Sequence, residues 1–298
     1  MTDIIDLQKH KPQDYEARFF NPRNDVAFKK VFQHEALTLS FLNSTLRLTG
    51  DRQIQSIEFL PTEQLPMTAE SKKSILDVLC TDHRGFKYII EVQNKYMSNY
   101  IRRAQYYVAH LYANQLENAG NYLQLKPVTL LSLLNHTVFP EQVRYLSYHQ
   151  NIEQETQTSY LNDMSYAFVE LPKFTKTLEE LITDEDHWIY MMKHAPEMRE
   201  APEDAPDAVK QAYDILEKHT WTRDERLAYE RAKIGLMDDL DIMETARNEG
   251  EQIGMAKGEQ RLLEEKQAIA NKLIQQGMRV QEVAELIGLS VEQLKSSL

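Results

Sequence analysis

Between Ser74 and Tyr96 the chain reads SILDVLCTDHRGFKYIIEVQNKY, two apolar stretches of strand length around a short polar segment. The pattern predicts an antiparallel hairpin turning through TDHRGFK, where Gly85 supplies a permissive backbone. Upstream, NPRNDVAFKKVF sets Val26, Phe28, Val31 and Phe32 near helical spacing behind Asn and Asp, predicting a helix capped at Asn24 or Asp25. The segment Gln53–Pro61, QIQSIEFLP, alternates as a half-buried strand and stops at proline. Downstream, Ile101–Gly120 carries apolar residues at helical intervals and ends on a glycine. Val128–Asn135 is a continuous apolar run of strand length, and Tyr166–Phe174 reads as a last strand closed by Pro172. Helix, strand, strand, strand, helix, strand, then further strand pattern, is the order of a mixed α/β sheet.

From about Lys173 the strand pattern ends. TLEELITDEDHWIYMMKHA and the long stretch from Asp207 to Gly250 read as acidic amphipathic helices, with the proline-rich APEMREAPEDAPDA as a hinge between them. Met191 and Met192 beside Trp188 are expected to pack a helix. Gly250, Gly254 and Gly258 recur every four residues and predict a weak, flexible helical linker. The tail reads as three short helices turning at Gly277 and Gly288, with Ser290 and Gln293 spaced as a capping box. Its last two helices look like a helix-turn-helix but offer a groove only Gln293 and Lys295, so a helical contact or oligomerisation piece is preferred over base reading.

Composition narrows the class. With 298 residues, the chain can hold two modest domains or one core with appendages. No apolar run reaches the ~20 residues of a membrane span, and the start lacks a secretory pattern. Cys80, the single cysteine, excludes an intrachain disulfide and reads as a small buried hydrophobe. A cytoplasmic protein with no membrane partner is expected. The net charge of −12 is uneven: residues 1–136 are close to neutral and residues 137–298 carry the acidity. The first half can therefore meet nucleic acid without a net repulsion.

The hairpin then poses a chemical question, because each strand carries an acid, Asp77 and Glu91, with Gln93 two residues on. A turn centred on Arg84 sets Asp77 opposite Glu91 with Cβ atoms ~5 Å apart, and Gln93 on the same face. A shift of half a residue would send the acids to opposite faces. Two facing carboxylates repel, and three things relieve them: a retained proton, a cation such as Arg102 or Arg103, or a divalent metal. The metal is the favoured reading, since Mg²⁺ takes one or two carboxylates plus waters and phosphate oxygens.

The segments NDVAFKKVF, ILDVLCTDHRGFKYIIEVQ, RAQYYVAHLYANQL and VELPKF together resemble the Rpn family of recombination-promoting nucleases, also described as transposases, within the PD-(D/E)XK nuclease superfamily. The resemblance runs from about Asn21 to Phe174. It implies a restriction-endonuclease-like mixed sheet flanked by helices, and a Mg²⁺-dependent DNA endonuclease, with Mn²⁺ as a substitute ion. Asp77 and Glu91 match the metal-holding acids, and Gln93 falls where the superfamily carries a water-orienting lysine. Asp25 matches an N-terminal acidic position that approaches the metal, with a helix cap as its alternative. Arg103 matches a helix arginine suited to a DNA phosphate. Tyr106 and Tyr107 could flank DNA, although helical spacing puts at least one in the core. Lys95 is either the missing cation or a solvated side chain. Leu76 stands where the superfamily motif has proline, and a neutral amide at 93 leaves slow or conditional catalysis open.

The expected organisation is a nuclease domain over residues 1–175, an acidic helical region over 176–245, and a Gly-spaced linker with a helix-turn-helix-like tail over 246–298. DNA is the expected partner, with a second copy or a regulatory protein on the C-terminal helices. The rival readings are a non-cleaving binder, a regulated toxin-like phage-defence effector and a structural helical adaptor.

Overall fold

Asn24 opens the first helix. Its side chain accepts from the Val26 N–H at 3.0 Å, so Asp25 begins α1 (Asp25–Phe32) and Asn24 is the cap. The computed structural model describes residues 17–64, 74–116 and 121–295. After α1 come α2 (Glu35–Thr45), β1 (Ile57–Phe59) and two short strands paired with each other, β2 (Glu63–Gln64) and β3 (Ser74–Ile75). The hairpin is β4 (Val78–Asp82) and β5 (Lys87–Gln93), followed by α3 (Tyr100–Ala113), β6 (Val128–Leu134), β7 (Leu146–Gln150) and β8 (Met164–Glu170). Six strands form one sheet in the order β1-β4-β5-β6-β8-β7. The pairs β5–β6 and β6–β8 are parallel and the others antiparallel.

The sheet is covered on both faces, which explains why β6 is apolar throughout. On one face α3 lays Tyr100, Ala104 and Val108 against Leu79, Ile89, Leu130 and Phe168. On the other, Ile90, Leu131 and Ala167 meet Phe28, Phe32 and Phe41 together with Trp188, Val209, Tyr213 and Trp221. These last four come from α4 (Asp184–His194), α5 (Asp207–Leu216) and the segment after it, so the helices beyond Lys173 complete the core of the sheet. Met191 and Met192 are fully buried beside Trp188, as the sequence suggests.

The expected strand from Gln53 shrinks to three residues for a local reason. Asn43 of α2 clamps Ile54 through both amide atoms, accepting from its N–H and donating to its carbonyl at 2.9 Å each. That backbone is spent on a helix side chain before the sheet begins. The third helix begins at Tyr100 and ends at Ala113, and the expected stop at Gly120 lies outside the described residues.

A compact division falls between Gly235 and Leu236, inside α6 (Arg223–Gln275). Gly250, Gly254 and Gly258 lie within this continuous 53-residue helix. Good helix formers and i,i+4 pairs, Arg247–Glu251 and Arg261–Glu265, offset the glycines. Beyond it, α7 (Val280–Ile287) and α8 (Val291–Lys295) close a small core with Ala270, Val283, Ala284 and Leu294. The turns fall at Gly277 and Gly288, both with positive φ, and Ser290 and Gln293 form the expected capping box. Among the described residues, no helix is long and apolar enough to cross a membrane.

Trp188 has no exposed surface, and its indole N–H donates to Ser40 Oγ at 3.1 Å. Trp188→Ala should cost about 3–5 kcal/mol, read as a lower urea midpoint with an unchanged slope.

Candidate active site

Gly85, at φ +85°, turns the hairpin, and the Asp82 carboxylate accepts from the N–H groups of Arg84 and Phe86 while pairing with the Arg84 guanidinium at 2.6 Å. This buried acid, an ordinary turn residue in the sequence, makes the turn rigid. The register it sets, Val78 with Ile90 and Leu79 with Ile89, is symmetrical about Arg84. One step further it sets Asp77, just ahead of β4, across from Glu91 on the α3 face of the sheet. The Asp77 N–H donates to Glu91 Oε1 at 3.2 Å, and the Val92 N–H donates to Asp77 Oδ2 at 2.8 Å. Each acid is thus held by the backbone of the other's strand.

Gln93 extends the array. Arg103 Nη2 donates to Gln93 Oε1 at 2.6 Å, and Gln93 Nε2 donates to Glu91 Oε2 at 3.3 Å. Because a guanidinium can only donate, the amide is fixed with its NH₂ toward the carboxylate. The Arg103 plane lies between the rings of Tyr100 and Tyr107, at 5.1 and 5.8 Å, and its buried Nε has no hydrogen-bond partner among the described residues. Tyr107 is therefore half-buried under the arginine, whereas Tyr106 is exposed and stacks on His110. Lys95 is half-buried, and desolvation lowers the proton affinity of its ammonium.

Burial dominates the electrostatics. It raises the Asp77 carboxyl above the usual range, with the nearby Asp25 charge adding to the rise and the Val92 N–H opposing it. Glu91 is raised further, by burial first and then by the Asp77 charge, against weaker help from the Asp77 N–H, Arg103 and Gln93. Among the described residues neither carboxylate has a Lys, Arg or His ion-pair partner; Arg103 reaches Gln93, and Arg102 is exposed. Asp25 is half exposed, pairs with Lys29 at 2.9 Å and lies within hydrogen-bonding reach of Asp77. Among the described residues, no three His, Cys, Asp or Glu side chains form a group suited to a metal. The centre the chain presents is a two-carboxylate one. Its donor set is all oxygen, which suits a hard divalent ion that keeps waters.

Several neighbours are invisible in the pattern of the sequence. Ser132, paired with Glu91 across the parallel ladder, shares a hydrogen bond with the buried Tyr100 hydroxyl at 2.6 Å. Its signal is a serine set between two Leu-Leu pairs in the run VTLLSLLN. Arg23 donates to Asn21 Oδ1 and Asn135 Oδ1, at 3.0 and 2.6 Å, and its carbonyl accepts from Asn94 at 2.6 Å. Asn135 in turn donates its N–H to the Gln93 carbonyl at 2.9 Å. The VELPKF segment also acquires a role. Glu170 accepts from the N–H groups of Val138 and Phe139, and Lys173 Nζ reaches Glu170 and the carbonyls of Phe139, Pro140 and Val143, all within 3.1 Å. These two side chains fasten the loop that leaves β6 just after Asn135.

Both acids hold a proton more tightly in the folded chain than in the unfolded one. The stability this contributes is full below the unfolded carboxylate pKa and is lost as the pH rises through the raised folded values. Glu91→Gln keeps the shape and removes the charge. It should melt several degrees above the parent in mildly alkaline, metal-free buffer and lose that advantage in acid, as followed by thermal unfolding.

Neither the curated proteins nor the solved structures compared with this chain contain a match. The model of the PD-(D/E)XK nuclease family transposases matches residues 22–246, a span that holds the whole sheet, Asp25, the facing acids, Gln93 and Arg103. With the mixed sheet flanked by helices, this identifies the chain as a member of the PD-(D/E)XK nuclease family transposases.

Proposed function

We propose that the protein is a divalent-metal-dependent DNA endonuclease, with Mg²⁺ as the working ion and Mn²⁺ able to replace it. The observation that carries this reading is the buried, facing pair Asp77 and Glu91, held by backbone donors and without an ion-pair partner among the described residues. Such a pair is poorly stable when ionised, and a divalent cation between the carboxylates and a phosphate relieves it. Asp77 and Glu91 would hold the ion, with Asp25 near enough to assist through a water. Once bound, the ion supplies a polarised phosphodiester and a water of lowered pKa.

The chain's own residues would do the rest. The Gln93 NH₂, aimed at the carboxylates, positions the attacking water but cannot take its proton, since an amide has no basic site near neutral pH. Arg103 holds that amide in place, and its Nε, without a partner among the described residues, is a donor for a phosphate oxygen. Lys95 lies just past Gln93 as a further contact to the DNA backbone, and Tyr107 steadies the Arg103 plane. Water adds to phosphorus and the P–O3′ bond breaks, giving 5′-phosphate and 3′-hydroxyl ends. A role in recombination, transposition or mobile-element defence accords with the family, and a second copy or regulatory protein on the C-terminal helices is part of the same proposal.

Purified protein should nick supercoiled plasmid with Mg²⁺ or Mn²⁺ and stop with EDTA. Asp77→Ala and Glu91→Ala should each reduce nicking to background while DNA binding persists. Intact plasmid from folded parent protein under every ion would sink the proposal.

The engaged amide favours a second reading, in which the site is damped or non-cleaving. A lysine at position 93 would press against the Arg103 guanidinium, so the informative change is the pair Gln93→Lys with Arg103→Gln. A rise in nicking rate over Arg103→Gln alone, which by itself loses a phosphate contact, is expected from a damped nuclease. No rise, with metal binding intact, favours a binder that has lost turnover.

A further inference from the structure

A cavity of about 560 Å³ opens at the other end of the sheet, where β5, β6 and β8 begin. The facing acids lie near the opposite ends of β4 and β5, so this cavity is separate from the candidate active site. Its size is that of a small-molecule pocket. Its walls pair aromatic rings with guanidinium groups: Phe86, Tyr148 and Tyr166 with Arg47, Arg52 and Arg84. Among the described residues no acidic side chain lines it.

Two of the arginines are built into place. Arg84 lies over the Phe86 ring at 4.7 Å and pairs with Asp82, whose side chain is fully buried. Arg47 lies over the Tyr148 ring at 5.7 Å and makes a two-pronged pair with the buried Glu185, at 2.8 and 3.1 Å. Arg47 also sits at φ +52°, a left-handed conformation that costs a long side chain energy and is retained where the surroundings impose it. Tyr148 is fixed by its hydroxyl, which donates to the Thr45 carbonyl at 2.6 Å. Asp82 and Glu185 neutralise Arg84 and Arg47. Arg52, exposed at the rim and without an ion-pair partner among the described residues, leaves one positive charge in excess.

These features select a ligand. A simple anion would have no use for the aromatic walls, and a neutral ring would have none for the guanidinium groups. One surplus charge fits one phosphate rather than a di- or triphosphate. Thr129 Oγ1 and Ser165 Oγ, bonded to each other at 2.9 Å, add hydroxyls that can meet a sugar. We propose that this cavity binds a nucleoside monophosphate, with the base against the tyrosine and phenylalanine rings and the phosphate at Arg52. The proposal is independent of the endonuclease reading, because it uses none of the residues placed at the two-carboxylate centre.

Equilibrium dialysis of the full chain in EDTA against dAMP, deoxyadenosine and inorganic phosphate tests it. dAMP should bind in the sub-millimolar range, with the other two probes at least about tenfold weaker. Arg52→Gln should weaken dAMP about fivefold or more, and Tyr148→Leu should do likewise. The double change Asp77→Asn with Glu91→Gln should leave dAMP affinity unchanged. Absence of dAMP binding at millimolar concentration, inorganic phosphate binding as tightly as dAMP, or loss only in the Asp77/Glu91 variant would each overturn it. Arg52 is a surface residue, so Arg52→Gln decides the matter if Tyr148→Leu fails to fold.

Discussion

The centre of this protein depends on two carboxylates that each accept a hydrogen bond from the backbone of the other's strand. Asp77 takes the N–H of Val92 and Glu91 takes the N–H of Asp77. Backbone donors stabilise the ionised forms, but burial and mutual repulsion outweigh them, so the net effect on both groups is an increased hold on protons. The fold thus stores an unfavourable charge arrangement in a rigid frame. Such an arrangement persists when the rest of the core is stable enough to enforce it and a ligand can relieve it.

The frame is the sheet's parallel half. Pairing β5 to β6 sets Glu91 beside Ser132, and the crossover through α3 returns Tyr100 and Arg103 over that same face. A polar layer consequently runs through an otherwise apolar interface, and among the described residues each member has a defined partner except Arg103 Nε. The helices from α4 to the start of α6 contribute nothing to that layer directly. They bury the opposite face, with Trp188, Tyr213 and Trp221 filling space that α1 and α2 alone leave open.

The hairpin and its register were legible because alternation, a turn glycine and the symmetry about Arg84 are local signals. The two helix turns of the tail were legible for the same reason. Asp82 was not, since an acid in a turn reads as solvated and its burial under Arg84 exists only in three dimensions. The shortened β1 was equally hidden, because the competitor for its backbone is a side chain of a preceding helix, Asn43. Periodicity could mark α4 and α5 as amphipathic but could not say which sheet face they cover. The family resemblance read from the hairpin and helix motifs agrees with the family model, whereas the Arg23, Asn94 and Asn135 contacts beside Gln93 depend on chain ends of separate elements meeting.

Lys173 offers a last lesson about chemical identity. Its ammonium faces four oxygen acceptors, the carbonyls of Phe139, Pro140 and Val143 and a Glu170 oxygen, converging on one nitrogen. Three hydrogens arranged tetrahedrally can serve such a cluster from a single point, whereas the flat, outward-splayed fork of arginine cannot. At this position the two basic amino acids are different tools. The shape of the loop beside the β6 exit therefore rests on the valence geometry of one nitrogen, not on positive charge alone.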